Sequence, residues 1–509
     1  MTKPTANTAK RERRGTVQSA KPNDVVIPLA EELTPWLDPW DVCRRFAPLS
    51  HLLFLDSADA HPSLGRYSFV SADPFRWLCL RQGQIVDNGA ERRRLDPFVV
   101  LSKQMKQWHS ETLAGLPPFQ GGAAGLFGYD LCHHIERLPR PRRDEFRTPD
   151  LAVGFYDWVV AFDHSQQRAW IISTGLPERE PARRQQRALR RLRAVHAWLC
   201  GVRRAGGVNP PVTSTGGLTP PARLTVAAPT DLYPLSNFPG VFSNFDRAGY
   251  LAAVRRAIEY IHAGDCFQVN LAQRLLHRAT LAPLELYHRL RTRNPAPFAG
   301  FFDLGDFAIA SASPERFLRV EQGQVETRPI KGTRPRGSTP EEDARQRDDL
   351  LRSAKDRAEN VMIIDLLRND LGRVCAYGSV QVEAVCRLES YRTVHHLVSE
   401  VVGRLRPGLG AIDLLRAAFP GGSVTGAPKV RAMEIIAELE PTARGPYCGS
   451  LGYLGFNGSM DTNILIRTFT LGRGWIQFPV GGGIVADSTP ESEYDETLHK
   501  AAGLLRALR

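Results

Sequence analysis

A stretch rich in Pro, Gly, Ser and Thr near the middle of the chain separates two differently patterned regions. Residues 206–243 include GGVNPPVTSTGGLTPPAR, a composition typical of a linker or a long surface loop. Before it, short apolar runs at 158–164 and 169–174, broken by Pro and Gly, predict strands of an antiparallel region. We therefore predict four parts: a basic disordered tail at 1–23, an N-terminal region at 24–205, the linker or loop at 206–243, and a densely patterned region at 244–509.

Helical periodicity is clearest on both sides of this boundary. Residues 182–199 predict an amphipathic helix with an apolar stripe that includes Leu189 and with arginines on its other faces. Asp246 precedes a second apolar stripe that ends at Gly264, as expected of a capped helix. The following CFQVNLAQR at 266–274 alternates as a strand does.

The charge balance excludes some classes of protein. The 509 residues contain 66 Lys and Arg against 54 Asp and Glu, a net charge of +12. Residues 1–23 carry +5 and residues 178–204 carry +7, so the rest of the chain is neutral. A nucleic-acid-binding surface spreads its basic groups among aromatic residues, so we expect no nucleic-acid binding.

Hydropathy and cysteine content exclude further classes. We expect no membrane span, because no apolar run approaches about 20 residues. Eight cysteines without a C-x-x-C pair, and no apolar leader, predict a reduced, cytoplasmic protein.

Charged residues accumulate in apolar or glycine-rich settings after residue 310. Taken singly, each predicts a surface charge, and Glu496 with Lys500 predicts a helical ion pair worth about 0.3–0.5 kcal/mol. However, Glu493 and Glu496 share one helical face, and Glu359, placed before an apolar helix that starts near Val361, is positioned to face them. Carboxylates without His or Cys partners favour Mg²⁺ over zinc.

Two glycine-rich segments, 419–429 and 480–488, expose backbone N–H groups. The first leads directly into a predicted helix, whose N-terminus favours an anion. Ala427 and Pro428 stand where a phosphate-binding P-loop has Lys and Ser or Thr, so the sequence predicts a carboxylate ligand. Lys429 is either a further charge of this site or a solvated helix residue.

Several segments between residues 246 and 509 resemble those of the chorismate-utilising enzymes. This family includes anthranilate synthase component I, aminodeoxychorismate synthase component I, and the isochorismate and salicylate synthases. The segments are SASPERF, PIKGTRPRG, AENVMIIDLLRNDLG, GGSVTGAPKVRAMEII, YCGSLGYLGF, NILIRT and ESEYDETLHKA. A weaker resemblance, at 54–74, is to the regulatory segment of some members. It makes Ser57 a candidate effector residue, next to Asp56 where those enzymes commonly carry Glu.

Two positions distinguish the branches of the family. Isochorismate and salicylate synthases carry a water-activating Lys where this chain has Gln268, and anthranilate synthases usually read PIAGT where this chain reads PIKGT with Lys331. PIKGT is the form of the aminodeoxychorismate synthases. The resemblance implies that Lys331 attacks the chorismate ring, that Glu315 is the general acid, and that ammonia gives 4-amino-4-deoxychorismate. The alternatives are anthranilate synthase component I, which forms anthranilate and pyruvate, and a catalytically silent binding subunit.

The resemblance also implies the rest of the site and its setting. Glu359 and Glu496 would bind Mg²⁺ directly, and Glu493 and Asp356 would hold metal-bound waters. The implied substrate-binding residues are Gln268, Thr333, His396, Ser423, Gly426, Tyr447, Arg467, Gly483 and Lys500. The implied fold is α+β, with antiparallel β-sheets packed face to face, helices outside, and the N-terminal region completing the sheets. No G-x-C-x-G segment is present, so ammonia is expected from a separate glutamine amidotransferase subunit.

Overall fold

A computed structural model describes residues 28–59, 64–93, 95–200, 229–391 and 394–509. The strands of the described residues are β1 Leu29–Glu32, β2 Leu53–Asp56, β3 Tyr67–Ser71, β4 Arg76–Arg81, β5 Gln84–Asp87, β6 Ala90–Arg93, β7 Gly122–Phe127, β8 Leu151–Tyr156, β9 Trp158–Asp163, β10 Arg168–Ser173, β11 Tyr233–Pro234, β12 Val241–Ser243, β13 Gln268–Arg278, β14 Phe298–Asp303, β15 Phe307–Ser313, β16 Arg316–Glu321, β17 Gln324–Thr327, β18 Ile330–Pro335, β19 Gln381–Ser390, β20 Val394–Arg404, β21 Gly426–Ala427, β22 Ser450–Gly455, β23 Met460–Asn463, β24 Thr468–Gly472 and β25 Trp475–Ile484. The helices are α1 Pro39–Arg45, α2 Pro97–Gln107, α3 Pro181–Leu199, α4 Arg247–His262, α5 Pro283–Arg293, α6 Pro340–Arg352, α7 Ala354–Gly372, α8 Ala411–Ala418, α9 Lys429–Leu439 and α10 Pro490–Leu508.

The strands form two large antiparallel sheets. Sheet I has the order β1-β10-β9-β3-β2-β14-β15-β24-β25-β13-β12-β11, with β21 also paired to β13. Sheet II has the order β18-β20-β17-β16-β23-β22-β7-β8-β4-β5-β6, with β19 also paired to β20. Five of the first ten strands lie in sheet I and five in sheet II, so both sheets combine strands from the two halves of the chain.

The core lies in layers. Phe69 and Ile309 of sheet I and Leu126 and Leu451 of sheet II are buried in one cluster between the two sheets. The outer face of sheet I is covered by α1, α3, α5 and α10, and that of sheet II by α2, α7 and α8. The α+β fold with sheets packed face to face is confirmed.

Several local predictions are also confirmed. Strands β9 and β10 coincide with the apolar runs at 158–164 and 169–174. The Asp246 side chain accepts a hydrogen bond from the N–H of Gly249 and so caps α4. The predicted domain bounds remain a prediction; residues 1–23 and 206–228 lie outside the described residues.

Two predictions about helices were wrong: one residue of the buried stripe of α3 and the first residue of α7. Leu189 is 40% exposed, and Ala188 takes its place on the buried stripe of α3, because 188, 192, 195 and 199 follow the helical period more closely. Glu359 does not precede a helix: Ser353 caps α7, so Glu359 lies in its second turn and Val361 faces outward. No helix among the described residues is both long enough and apolar enough to cross a membrane.

Candidate active site

Glu315 lies in the short connection between β15 and β16 and is only 5% exposed. Its Oε1 accepts a hydrogen bond of 2.7 Å from the Ser423 hydroxyl. Burial raises the pKa of Glu315 to about 7, although Ser423 and the positive charge of Lys331 oppose the increase. A carboxyl group with this pKa is partly protonated near neutral pH and can act as a general acid.

Lys331 is placed by an irregularity in β18. In the pairing of β18 with β20, Ile330 is opposite Val398 but Thr333 is opposite His396, so one extra residue is present on β18. Such a bulge changes the direction in which side chains point. Burial lowers the pKa of Lys331 and is opposed first by the carboxylate of Glu359. A lowered pKa increases the neutral, nucleophilic fraction of the amine.

Gly332 completes this bulge. Its φ of +85° lies in the left-handed region, and a Cβ there would lie 3.0 Å from the Cβ of Asp356. Glycine is therefore required by both backbone conformation and space, and it lets β18 approach α7 closely. This contact brings Lys331 towards the carboxylates of α7.

A second group of carboxylates lies where α10 crosses β25. A Cβ on Gly482 would lie 3.0 Å from Oε2 of Glu493 and 3.3 Å from Oε1 of Glu496. The two side chains therefore converge over a position that only glycine leaves open. Oε1 of Glu493 accepts a 2.6 Å hydrogen bond from Ser488, whereas its buried Oε2 has no hydrogen-bond partner among the described residues.

The charges of this group are partly balanced by lysines. Lys500 Nζ lies 2.6 Å from Oε1 of Glu496 and donates to the carbonyl oxygen of Gly481 at 3.0 Å. Enclosure by the protein raises the pKa of Glu496, but Lys500 outweighs it and leaves the pKa below its ordinary value. Burial raises the pKa of Glu493.

The α7 carboxylates differ in their surroundings. Burial raises the pKa of Glu359, opposed by Lys331, and Lys355 Nζ lies 4.0 Å from its Oε1. Asp356 forms an ion pair of 3.3 Å with Arg334. Asp356 is therefore paired with a protein cation, whereas Glu359 lies close enough to Lys331 to feel its charge.

The donor set fits a hydrated Mg²⁺ ion. Within the part of the chain that the structure describes, no three Asp, Glu, His or Cys side chains enclose a metal position by themselves. Mg²⁺ in proteins commonly keeps several waters and takes one or two carboxylates together with substrate oxygens. The convergence of Glu493 and Glu496 over Gly482, with one buried oxygen unpartnered, supplies such carboxylates.

His396 and Thr333 form one part of the implied substrate site. Thr333 Oγ1 lies 2.8 Å from Nδ1 of His396, which is 2% exposed. Burial, helped by the charge of Arg467, lowers the pKa of His396 to about 3, so the imidazole is neutral. Burial also lowers the pKa of Arg467, whereas Glu315 opposes this shift. Tyr447 is buried, and its burial raises the pKa of its hydroxyl.

Gln268 and two glycines, also implied substrate-binding residues, lie together where β13 pairs with β21 and β25. Gln268 is fully buried, and neither polar atom of its side chain has a partner among the described residues. A Cβ on Gly483 would lie 2.3 Å from Nε2 of Gln268, and one on Gly426 would lie 2.2 Å from its carbonyl oxygen. Both glycines are therefore needed for strands β13, β21 and β25 to meet here.

Lys429 has neither of the two roles that the sequence left open, a charge of the anion site or a solvated helix residue. It donates to Asp370 at 2.6 Å and to the carbonyl oxygen of Ala418 at 2.7 Å, so it is neither a charge of the site nor solvated. Its buried ion pair joins α9 to α7. Sequence spacing did not reveal this pair because its members are 59 residues apart.

Arg444 supports the site but was not predicted. Its guanidinium donates to the carbonyl oxygens of Val424 at 3.1 Å and Asn270 at 2.8 Å, and it pairs with Glu440 at 2.6 Å. It therefore ties the loop that carries Ser423 to strand β13. The i,i+4 spacing of Glu440 and Arg444 was the only sequence signal for it.

The predicted effector region borders a cavity of about 220 Å³, and Ser57 is one of the residues that line it. The Ser57 hydroxyl donates to the carbonyl oxygen of Tyr67 at 2.6 Å. Asp56 accepts hydrogen bonds of 2.7 Å from both Tyr287 and Arg291. Effector binding at Ser57 remains a prediction.

Comparison with known proteins identifies the family of this chain. The model of the chorismate binding enzyme family matches residues 67–506. The chain belongs to this family. It is 43% identical to aminodeoxychorismate synthase component 1 of Salmonella typhimurium over 481 residues, covering 92% of this chain and 97% of the relative. It is also 42% identical to anthranilate synthase component 1 of Thermus thermophilus over 462 residues, covering 91% and 92%.

The fold of this chorismate binding enzyme is shared with a solved structure. Anthranilate synthase component I from Streptococcus pneumoniae superposes with a TM-score of 0.72 at 34% identity, covering 88% of this chain and 93% of the other. Relatives with two different activities are therefore about equally similar overall. Overall sequence identity does not distinguish the two activities, so the distinction has to rest on individual residues of the site.

Proposed function

We propose that this chain is component I of an aminodeoxychorismate synthase, which converts chorismate and ammonia into 4-amino-4-deoxychorismate for 4-aminobenzoate and folate synthesis. The observation that carries this proposal is Lys331, half-buried at the β18 bulge with a lowered pKa, close enough for its charge to act on Glu315, whose pKa is raised. These opposite shifts suit a neutral amine nucleophile and a protonated acid at one pH.

The proposed reaction has two steps. Neutral Lys331 Nζ forms a bond to ring carbon C2, the ring double bonds shift, and the C4–O bond breaks as Glu315 gives its proton to the departing hydroxyl, which leaves as water. Ammonia then forms a bond to C4, the double bonds shift back, and the C2–N bond breaks to release neutral Lys331. The proton lost by the new C4 ammonium group returns to Glu315, so chorismate and ammonia give the product and one water.

The remaining residues would bind and orient the substrate. Glu359 and Glu496 would hold Mg²⁺ directly, and Glu493 and Asp356 would hold its waters. The bound ion would offset the negative charge of a substrate carboxylate. The proposed substrate contacts come from Gln268, Thr333, His396, Ser423, Gly426, Tyr447, Arg467, Gly483 and Lys500. Ammonia would come from a separate glutamine amidotransferase subunit in the cytoplasm, consistent with the component 1 designation of the relatives.

Anthranilate synthase component I is the second candidate, favoured by the 42% identity to the Thermus enzyme. Incubation of the protein with chorismate, Mg²⁺ and an ammonium salt separates the two. Anthranilate is fluorescent, whereas aminodeoxychorismate becomes 4-aminobenzoate only after a lyase is added. Anthranilate as the product would refute the proposal, and no turnover at all would favour the silent binding subunit.

The covalent step is tested by mass. With chorismate and no ammonia, intact-protein mass spectrometry should show an adduct equal to chorismate minus one water. Lys331→Ala should lose the adduct and nearly all product formation, yet keep chorismate binding. Lys103→Ala, which removes an exposed lysine of α2, is the matched control and should retain both.

A further inference from the structure

Lys355 takes no part in the reaction described above, yet its ammonium group lies at the carboxylates proposed to bind Mg²⁺. It is the second residue of α7, one turn before Glu359, and its Nζ lies 4.0 Å from Oε1 of Glu359. The Lys355 side chain is 56% exposed, whereas the Glu359 side chain is 17% exposed. The ammonium group therefore reaches a largely covered carboxylate from the solvent side.

The charge of Lys355 also acts on the second helix of the site. Burial raises the pKa of Glu493 on α10, and the positive charge of Lys355 is one of the influences that oppose this rise. Burial likewise acts to raise the pKa of Glu496, but Lys500, helped by Lys355, outweighs it. An ordinary helical ion pair joins two residues of one helix. Lys355 instead belongs to the charge balance of the carboxylates of both α7 and α10.

Each carboxylate proposed as a direct Mg²⁺ ligand has a lysine four residues away on its own helix. Lys355 pairs with Glu359, and Lys500 pairs with Glu496 at 2.6 Å. Lys500 is held further by its hydrogen bond of 3.0 Å to the carbonyl oxygen of Gly481. Among the described residues, the only ion pair of Lys355 is the one with Glu359. A competing cation can therefore displace Lys355 more easily than Lys500.

The physical consequence concerns metal affinity. Mg²⁺ needs the same carboxylate that Lys355 neutralises, and two cations repel each other when they share a ligand. The exposure of Lys355 means that water and salt screen much of this repulsion. With such screening, one lysine changes the affinity of a neighbouring site for a divalent ion by about three- to tenfold.

We propose that Lys355 competes with Mg²⁺ for Glu359 and the α10 carboxylates and so weakens Mg²⁺ binding in the absence of substrate. This inference rests on the metal ligands of the proposed function. It makes Lys355 a residue that sets the Mg²⁺ concentration at which the site fills, and it gives Lys355 no contact with the chorismate ring.

The test is titration calorimetry of the full chain with Mg²⁺ alone, without chorismate. Lys355→Gln should bind Mg²⁺ about three- to tenfold more tightly than wild type, and Lys355→Arg, which keeps the charge, should bind it as wild type does. The gain in Lys355→Gln should shrink between about 0.05 M and about 0.5 M KCl, because salt screens exposed charges. Lys103→Gln, which removes an exposed lysine of α2, is the matched control and should bind Mg²⁺ as wild type does.

Thermal unfolding gives a second measurement. Because a ligand that binds only the folded chain stabilises it in proportion to its affinity, a given Mg²⁺ concentration should raise the Tm of Lys355→Gln more than that of wild type. An equal or smaller rise, together with equal or weaker Mg²⁺ binding, would overturn the competition.

The remaining outcomes separate this inference from the proposed function. Weaker chorismate binding by Lys355→Gln with unchanged Mg²⁺ affinity would show that Lys355 binds the substrate, and the inference would be wrong. A wild-type chain that binds no Mg²⁺ would refute both the proposed ligands and the competition for them. Anthranilate as the reaction product would refute the proposed function alone, because the calorimetry contains no substrate.

Discussion

Removal of one hydroxyl group should measurably change the acidity of Glu315. Ser423→Ala deletes the 2.7 Å hydrogen bond to Oε1 and leaves the carboxyl group buried. A hydrogen bond to the charged form lowers a carboxyl pKa, so its loss raises the pKa. We therefore expect Glu315 to stay protonated to a higher pH in the variant than in the wild type.

The size of the pKa shift follows from the difference in strength between the Ser423 hydrogen bond to the charged carboxylate and the same bond to the neutral carboxyl group. A bond to a charged group contributes about 1.5–3 kcal/mol, and a bond between neutral groups about 0.5–1.5 kcal/mol. The difference of roughly 1–1.5 kcal/mol corresponds to about one pKa unit, at about 1.36 kcal/mol per unit. The pKa of Glu315 should thus move from about 7 to about 8.

Infrared difference spectroscopy titrates this group directly. The band of the protonated buried carboxyl group, assigned by its loss in Glu315→Gln, should persist about one pH unit higher in Ser423→Ala. The limb of kcat/KM that depends on Glu315 should move in the same direction. Ser488→Ala is the matched control, since it removes the 2.6 Å bond to Glu493 instead and should leave the Glu315 band unchanged. An unshifted titration in Ser423→Ala would refute the assigned hydrogen bond.

Three further variants test the rest of the site. Glu496→Gln should weaken Mg²⁺ binding at least tenfold in calorimetry, and wild-type affinity would contradict its role as a ligand. Gly482→Ala should also weaken Mg²⁺ binding, because the added Cβ would lie 3.0 Å from Glu493 and 3.3 Å from Glu496 and push them apart. Arg444→Met should lower the free energy of unfolding by about 3–5 kcal/mol, since it leaves Glu440 buried without its cation. Denaturant unfolding measures this change, and a loss below 1 kcal/mol would show that the pair contributes little.

Local patterns predicted much of the secondary structure. Helix α4 was recognisable because Asp246 caps it and its apolar residues recur at the helical period. Strands β9 and β10 were recognisable from unbroken apolar runs between polar turns. The beginning of α7, residues 354–359, was missed because these residues are mostly polar and show no apolar stripe, although Ser353 caps the helix.

The spatial arrangement of the site residues was harder to predict from the sequence. The carboxylates Glu493 and Glu496 could be paired because i and i+3 share a helical face. Their convergence over Gly482 could not be predicted, because Gly482 lies on a different element and the crossing of α10 over β25 sets the distance. The Lys429–Asp370 pair was missed for the same reason.

The sequence by itself determined the family and the α+β class, and it made Glu315 and Lys331 the candidate reactive groups, because these conclusions depend on residue types in a fixed order. Only the tertiary structure decided which environments those groups meet. Burial changes the acidity of Glu315 and Lys331 in opposite directions, and burial depends on contacts between residues far apart in the chain. A groove of about 950 Å³ likewise forms where α7, the start of α9 and residues 427–428 come together in the folded chain.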